Sequence, residues 1–299
     1  MRILFMALTL IFLTANSASA AVYQQGIVYV IYDEEGAAAP ADKSDVNSNG
    51  VPDMVEDIAT QLNAARELFK DVFKFPDPLE SARYKNVTSI EVDIGDKVVM
   101  KHNGFAYVGV RKKSKHDPNE RAIHIKVANT VNPHKNSTPA HEYFHLIQSG
   151  TTYFGNKWYI EGMARWSQDS VSKIKKYPDG KNISSTLDNP ASKAQIFKEK
   201  YKVAKLLWYP LAVAANDKQK IPDSLIKKYK YTDGSAVFHD NIIYGPNVMR
   251  EVMLLMKSKE NLAAEKFGDK KIWRRKGRRA DSNNEIILDC VREVYNSKK

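Results

Sequence analysis

The spacing of apolar residues predicts strands and one long helix in the N-terminal half of the chain. The stretch GIVYVIYDE at 26–34 is rich in β-branched and aromatic residues, which favour an extended strand. From Met54 to Phe73 the apolar residues recur every three or four positions, and this spacing predicts an amphipathic helix. Three further strands are predicted at 88–95, 104–110 and 121–129.

The chain beyond these strands is predicted to be mainly helical. Thr138 and Pro139 suit the start of a helix, because the threonine can cap it and proline fits its first turn. Gly150 is expected to end that helix, and a second helix is expected from Trp158 to Val171. Further helical patterns lie at about 193–215, 222–230, 235–240, 246–265 and 283–296.

The order of these elements indicates an α+β fold. A mixed β-sheet and the helix after Pro139 occupy residues 21–175, which form the predicted N-terminal lobe. Residues 176–299 form a mainly helical C-terminal lobe with a basic tail. Segregation of strands and helices along a chain favours packed layers of different kinds, so we expect a cleft between the two lobes.

The first twenty residues have the layout of a secretory signal peptide. Arg2 is their single charged residue, an apolar run follows at 3–14, and Ala18-Ser19-Ala20 offers small residues for cleavage after Ala20. The alternative is a membrane anchor, but the run is too short to span a bilayer. No later stretch is long and apolar enough for a transmembrane helix either. We therefore expect a secreted or periplasmic protein.

Composition adds a strong positive charge and a single cysteine. The chain has 46 lysines and arginines against 35 acidic residues, which gives a formal net charge of +11. Because Cys290 has no second cysteine to pair with, no internal disulfide can stabilise the exported chain. Its stability must come from core packing, from bound ions or from both.

The stretch STPAHEYFHLIQ at 137–148 carries the main candidate chemistry. His141 and His145 are four residues apart and therefore project from nearly the same face of the predicted helix. Glu142 lies about 60° from His145 around the helix axis, near enough to face the same cleft. This H-E-x-x-H pattern supplies two imidazoles for a metal ion and a carboxylate beside its water. The alternative is a surface helix with ordinary polar residues.

A third metal ligand is available on the next predicted helix. Zinc in hydrolases typically takes three protein ligands and leaves a fourth position for water. Glu161, in WYIEGMARW at 158–166, follows His145 across a predicted turn at 150–156. The rest of the motif helix is apolar, which indicates burial, and unpaired histidine and glutamate side chains would be costly there.

The segments HEYFH at 141–145 and WYIEGMA at 158–164 resemble the zinc site of the gluzincin metallopeptidases. The resemblance implies a zincin-like lobe with His141, His145 and Glu161 as zinc ligands and Glu142 as the general base. It also implies that RAIHIKVAN at 121–129 is the edge strand that aligns extended peptide substrates.

The chain departs from the gluzincin pattern at one position near the site. Arg165 stands four residues after Glu161, where thermolysin-like enzymes often have an aspartate. The partner that orients a ligating histidine is therefore not assigned by the resemblance, and Asp169 is a weak candidate for it.

The same resemblance implies a donor that stabilises the oxyanion of the reaction. The stretch at 229–253 resembles a helical segment that contributes a tyrosine in some gluzincins, and Tyr231 is the first candidate. Tyr229, His239 and Tyr244 are the alternatives. Each of these side chains is equally consistent with an ordinary core or surface position.

A second ion site is predicted in DVNSNGVPDMVE at 45–56. The segment follows the D-x-N-x-N-G-x5-E pattern of calcium loops, without a helix entering it. The alternative is an Asn/Gly turn that caps the next helix through Asp53. The expected calcium ligands are Asp45, Asn47, Asn49, the carbonyl of Val51, Asp53 and Glu56.

The preferred function is therefore a secreted zinc metalloendopeptidase with peptides or proteins as substrates. One alternative is a non-catalytic exported binding or adhesion protein with structural zinc and calcium. Another is a zinc amidase that acts on cell-wall peptides. The basic run KKIWRRKGRR at 270–279 is a candidate contact for a polyanion, or else a solvated loop, and no nucleic-acid-binding motif accompanies it.

Overall fold

The computed structural model describes residues 20–172, 179–267 and 277–299 of the chain. The predicted signal peptide, with the exception of Ala20, lies outside the described residues. Residues 270–276 of the basic run also lie outside them. Among the described helices, none combines the length and the apolar character needed to cross a membrane.

Five strands form a mixed sheet in the N-terminal part. They are β1 Ala21–Gln25, β2 Val28–Tyr32, β3 Ser89–Gly95, β4 Gly104–Arg111 and β5 Ala122–Ala128. Their spatial order is β1-β2-β3-β5-β4. The three inner strands run parallel, and the two edge strands run antiparallel to their neighbours. The stretch predicted as one strand at 26–34 is the second half of a hairpin, which turns at Gly26 with a φ of +63°.

The α-helices of the described residues follow and interrupt this sheet. They are α1 Asp53–Glu67, α2 Lys97–Met100, α3 Thr138–Thr151, α4 Lys157–Ser167, α5 Ile183–Asp188, α6 Pro190–Lys198, α7 Tyr209–Ala214, α8 Asp223–Lys228, α9 Pro246–Ser258, α10 Glu260–Phe267 and α11 Asn283–Asn296. A short two-stranded sheet joins β6 Lys218–Lys220 to β7 Ile242–Tyr244. The α+β fold class with a mixed sheet is therefore confirmed.

Two predicted helices differ from the structure. The helix predicted at 193–215 is interrupted, because α6 ends at Lys198 and residues 199–202 are not helical. Residues 235–240 form no helix, because Asp233 and Gly234 make a tight turn before them. Gly234 has a φ of +81° and donates its N–H to the carbonyl of Tyr231 at 2.8 Å. This turn pairs Lys230 with Ala236, and the chain then continues into β7.

The expectation that residues 121–129 form the edge strand is also wrong. This segment is β5, which lies between β3 and β4, and most of its side chains are buried. Near-continuous burial is typical of an inner parallel strand. The edge strand is β4, which packs against α3 and carries a bulge between Ala106 and Val110. Bulges of this kind are frequent at sheet edges and next to active sites.

A large apolar core holds α3 in place. Ile58 and Leu62 of α1, Phe69 just after it and Phe144 of α3 are fully buried. The rings of Phe69 and Phe144 meet edge to face with centroids 5.1 Å apart. Each buried side chain of this size contributes about 1.5–3 kcal/mol relative to exposure, so α3 is a rigid support for polar residues. The core is one continuous cluster that includes the C-terminal helices.

A buried polar contact fastens the C-terminal helix to α4. The Asn284 side-chain oxygen of α11 accepts hydrogen bonds from Trp158 Nε1 and Asn156 Nδ2, both at 2.8 Å. Trp158 also stacks on Trp208, with ring centroids 6.0 Å apart. Because buried polar groups are costly without partners, these bonds fix the direction from which α4 enters the core.

Glu91 of β3 is fully buried on the face of the sheet opposite Ile90 and Val92. Its carboxylate accepts hydrogen bonds from Ser114 Oγ at 2.8 Å and His116 Nδ1 at 2.9 Å and pairs with Arg111. Burial alone would raise the pKa of Glu91, but these hydrogen bonds outweigh it and lower the pKa to about 2. The ionised Glu91 therefore fastens the loop at 112–121 to the sheet.

Candidate metal centre

The motif residues lie on α3, which begins close to its predicted start. Ser137 precedes the helix, Pro139 occupies its first turn, and the Gln61 side-chain oxygen of α1 accepts a hydrogen bond from Ala140 N at 3.3 Å. The predicted stop at Gly150 is off by one residue, since α3 continues through Thr151. Gly150 instead allows close packing, because a Cβ there would lie 3.1 Å from the backbone of Pro78.

Three predicted ligands converge between α3 and α4. The distance from Glu161 Oε2 to His141 Nε2 is 3.5 Å, and the distance from the same oxygen to His145 Nε2 is 3.6 Å. The imidazole rings of the two histidines are perpendicular, with centroids 4.7 Å apart. The potential ligand atoms of these three residues all lie within 4.8 Å of one another. Among the histidine, cysteine, aspartate and glutamate side chains of the described residues, this is the group of three that meets that distance.

These distances fit a tetrahedral zinc site better than direct hydrogen bonds. Zinc bonds to nitrogen and oxygen ligands are about 2.0–2.2 Å long, so two ligands of a regular tetrahedron lie about 3.4 Å apart. A nitrogen–oxygen hydrogen bond is typically about 2.7–3.2 Å long. The gaps of 3.5 and 3.6 Å therefore exceed a normal hydrogen bond and match the edge of a zinc tetrahedron.

Gln148 orients His145 and positions Glu161 at the same time. Its side-chain nitrogen donates to the carbonyl of Ile160 at 3.1 Å, directly before Glu161 in the chain. Its side-chain oxygen, 2.8 Å from His145 Nδ1, therefore accepts from that nitrogen. With the ring proton on Nδ1, the lone pair of a neutral His145 faces the Glu161 carboxylate from Nε2, and these two electron-rich atoms can hold a cation between them.

The electrostatics of the cluster agree with a site for a cation. Burial lowers the pKa of His145, but the interactions with Glu161 and Glu142 outweigh it and raise the pKa to about 8. Burial would raise the pKa of Glu161, but the two histidines hold it well below its ordinary value. His141 Nδ1 is buried without a hydrogen-bond partner among the described residues. Asp169, the predicted partner of a histidine, instead accepts from the Tyr209 hydroxyl at 3.2 Å.

Glu142 lies next to the cluster and is almost completely buried. Burial raises the pKa of its carboxyl above the ordinary value. Gly104 of the edge strand makes room for it, because a Cβ at that position would lie 2.7 Å from both Glu142 Cγ and Glu142 Oε1. Glu142 and His141 line a pocket of about 330 Å³ that opens to solvent.

The structure places Tyr231 away from this pocket. Its hydroxyl donates to the carbonyl of Pro133 at 3.2 Å and accepts from Gln61 at 2.9 Å, and its ring stacks on His134. His134 in turn contacts Asp57 at 2.6 Å, beside a separate cavity of about 580 Å³. Tyr231 therefore contacts Gln61, which in turn bonds to Ala140 in the first turn of α3.

The other predicted donors are also elsewhere. The Tyr229 hydroxyl donates to Glu67 at 2.7 Å, and neither His239 nor Tyr244 lines the pocket of Glu142. The tyrosine that does line it is Tyr201, whose side chain is largely exposed. Partial loss of solvent around its hydroxyl is the main cause of its raised pKa, followed by the charges of Glu161 and Glu142. No motif in the sequence marks Tyr201, which lies in an irregular segment before α7.

Two carboxylates of the predicted calcium loop accept hydrogen bonds from nitrogens of the same loop. Asp45 accepts hydrogen bonds from Asn49 N at 3.1 Å and Gly50 N at 2.8 Å, and Glu56 accepts from the side-chain nitrogens of Asn47 and Asn49, both at 2.9 Å. Gly50 has a φ of +83°, which the sharp turn of such a loop requires. Coordination of an ion by the asparagine oxygens requires both amide groups to turn over, because their nitrogens now face Glu56.

The remaining residues of the loop have different roles. Both oxygens of Asp53 accept from Val46 N at 3.2 Å, so Asp53 closes the loop onto itself. Pro52 precedes α1, and no side chain caps this helix. The alternative in which Asp53 caps α1 is therefore wrong. Asn49 bonds to both Asp45 and Glu56, and this arrangement is compatible with a calcium loop.

Comparisons with known proteins give no relative. No family model matches the chain, and neither the curated proteins nor the solved structures contain a match. The functional conclusions below therefore depend on the residues and their geometry.

Proposed function

We propose that the protein is a secreted zinc-dependent peptidase with a zincin-like catalytic part. His141, His145 and Glu161 hold the metal, and Glu142 is the general base. The observation that carries this proposal is the pair of distances, 3.5 and 3.6 Å, between Glu161 Oε2 and the two Nε2 atoms. The position of β4 beside α3 supports it, because an open strand edge along the pocket can pair with an extended peptide.

The residues of the site have two proposed roles, metal binding and proton transfer. Zinc held by the three ligands would supply a Lewis acid and lower the pKa of a coordinated water toward about 7. The Glu142 carboxylate would accept a proton from the attacking water and pass it to the leaving amine, a role worth roughly 10²- to 10⁴-fold in rate.

Tyr201 replaces Tyr231 as the proposed oxyanion donor. Its side chain lines the pocket together with His141 and Glu142, whereas the Tyr231 hydroxyl is engaged behind α3. A phenol hydroxyl can donate to the oxygen on which negative charge develops. The exposure of Tyr201 is consistent with a group that closes onto substrate.

Three further parts of the proposal lie outside the metal centre. Calcium in the loop at 45–56 would have a structural role, since it would link the loop to the start of α1. The layout of residues 1–20, which resembles a signal peptide, supports a location outside the cytoplasm. The basic run at 270–279 is proposed as a polyanion contact, and only Gly277, Arg278 and Arg279 of it lie within the described residues.

The experiment that tests the catalytic proposal compares wild type with Glu142→Gln. Protein without residues 1–20 is assayed for zinc content and for cleavage of a denatured protein. We expect the variant to keep its zinc and to lose at least about 100-fold in rate, because the base is removed but no ligand is. Glu80→Gln is the matched control, since the Glu80 side chain is 72% exposed on the surface.

Three results would count against the proposal. Unchanged cleavage by Glu142→Gln would remove this residue from the mechanism. Zinc binding without cleavage of any peptide would favour the non-catalytic binding protein. Cleavage of cell-wall peptides but not of denatured protein would favour the amidase.

A further inference from the structure

The pocket in front of the metal cluster contains two cationic side chains from different elements. Lys97 of α2 and Arg165 of α4 line it together with His141 and Glu142. Arg165 follows Glu161 by one helical turn, so both side chains project from the same face of α4. The two cations therefore stand beside the groups to which the chemistry is assigned.

Neither cation forms an ion pair with a carboxylate of the described residues. The Arg165 guanidinium donates to Gln168 Oε1 at 2.8 Å, and the Lys97 ammonium donates to Asn103 Oδ1 at 2.6 Å. Both partners are neutral amides, and Glu142, the carboxylate that lines the same pocket, forms no ion pair with either cation among the described residues. Elsewhere on the surface, by contrast, Arg292 pairs with Asp289 at 2.6 Å.

Both side chains also have donors to spare. A guanidinium carries five N–H donors and an ammonium carries three, and one contact of each is accounted for by an amide. Glu161, the nearest acidic residue on α4, directs its carboxylate at the two histidines and, in the proposed site, at the metal. A pocket with these features offers charge-assisted hydrogen bonds to an incoming anion.

We infer that this pocket selects peptides with a carboxylate close to the scissile bond, bound by Arg165 and Lys97. The inference rests on the proposed peptidase function, for which it names the substrate class. The carboxylate can come from an Asp or Glu side chain or from the C-terminus of the peptide. The net charge of +11 on the chain favours the approach of such acidic substrates.

The test uses matched peptides and wild-type protein without residues 1–20. One fluorogenic series has Glu, Gln or Lys at each position next to the scissile bond, and a second compares a free C-terminal acid with its amide. We expect kcat/KM to be roughly 10- to 100-fold higher for the acidic member of one series, as charge-assisted hydrogen bonds are worth that much. The series that shows the difference identifies the source of the carboxylate.

Substitutions then assign the preference to residues. Arg165→Gln and Lys97→Gln should each reduce the acidic preference while the zinc content stays unchanged, because neither residue is a ligand. Lys113 is exposed, follows the end of β4 and does not line the pocket, so Lys113→Gln removes the same charge and should leave the preference intact. Arg165→Glu should shift the preference toward the Lys peptide.

A binding measurement separates this inference from the catalytic proposal. Fluorescence anisotropy with Glu142→Gln reports the affinity for the Glu and Gln peptides without turnover, and the acidic peptide should bind more tightly. Equal affinity for both peptides would overturn the inference even if the wild type is an active peptidase. Tighter binding of the acidic peptide by a protein that cleaves neither would support the anionic pocket and reject the peptidase.

Discussion

Gly104→Ala tests whether the edge strand positions the general base. A methyl group at this position would lie 2.4 Å from Thr138 Cγ2 and 2.7 Å from Glu142 Cγ and Oε1. Ordinary contacts between carbon atoms are about 3.5–4.0 Å long, so the Glu142 side chain must move by about 1 Å. A displacement of that size at a reacting group costs about 100-fold in rate.

The assay for Gly104→Ala has three measurements. We expect kcat/KM for peptide cleavage to fall about 100-fold. Zinc content should stay at the wild-type level, because Glu142 is not a ligand. The free energy of unfolding should fall by about 1–3 kcal/mol, the usual cost of overpacking.

Gly109→Ala is the matched control on the same strand. A Cβ at Gly109 meets nothing within 4 Å, so this variant should cleave and unfold like the wild type. The reasoning would be refuted by a Gly104→Ala protein that is folded and zinc-loaded and cleaves peptides as fast as the wild type.

Three further predictions concern the supports of the site and the fold. Gln148→Ala should weaken zinc binding about 10- to 100-fold, because His145 loses the acceptor that orients it. Gln148→Glu keeps an acceptor at this position and should bind zinc more tightly than Gln148→Ala. Equal zinc affinity of the two variants would contradict this role of Gln148. Glu91→Gln should lower the free energy of unfolding by about 3 kcal/mol at neutral pH, since one pKa unit corresponds to about 1.4 kcal/mol. Because the pKa of Glu91 is lower in the folded protein, the difference in unfolding free energy should be constant above about pH 4.5 and shrink toward pH 2. Chemical denaturation at several pH values measures it, and a difference that does not change with pH would contradict the ionised role of Glu91. Calcium should raise the melting temperature of the wild type but not of Asp45→Ala, and an equal response of both would remove the loop as its site.

The core of the metal cluster could be predicted because helical spacing determines direction. His141 and His145 share a face of any helix that contains them, whatever the rest of the chain does. Gln148 could have been found in the same way, since it lies three residues after His145 on that face. The position of Glu161 depends on how α4 packs against α3, and its approach to both histidines could only be expected from the resemblance.

The composition of the two strands indicates which of them lies at the edge, although the resemblance implied the opposite assignment. The stretch AIHIKVA is apolar at five of its seven positions, which is typical of an inner strand, whereas GFAYVGVR alternates glycine, small and aromatic residues. Composition of this kind favours β4 as the edge strand and Gly104 as a point of close approach.

Tyr201 and Tyr231 could not be assigned from the sequence. Tyr231 lies in a stretch without a strong periodic pattern, and Tyr201 lies where the helix predicted at 193–215 is interrupted after α6. The Tyr231 hydroxyl bonds to Gln61 and Pro133, which are far from it in the chain, so these contacts form only in the folded protein. The same holds for Lys97 and Arg165, which become neighbours of one pocket through the packing of α2 and α4 around β4 and α3.

The most direct measurement is the zinc affinity of metal-free protein, wild type and Glu161→Gln, determined by competition with a chromophoric chelator. The account predicts one tightly bound zinc in the wild type. It predicts that Glu161→Gln lowers the zinc affinity by more than about 100-fold. Removal of a residue that only orients a ligand typically lowers the affinity by roughly 10- to 100-fold. Unchanged zinc affinity in Glu161→Gln would contradict the three-ligand site and the chemistry assigned to it.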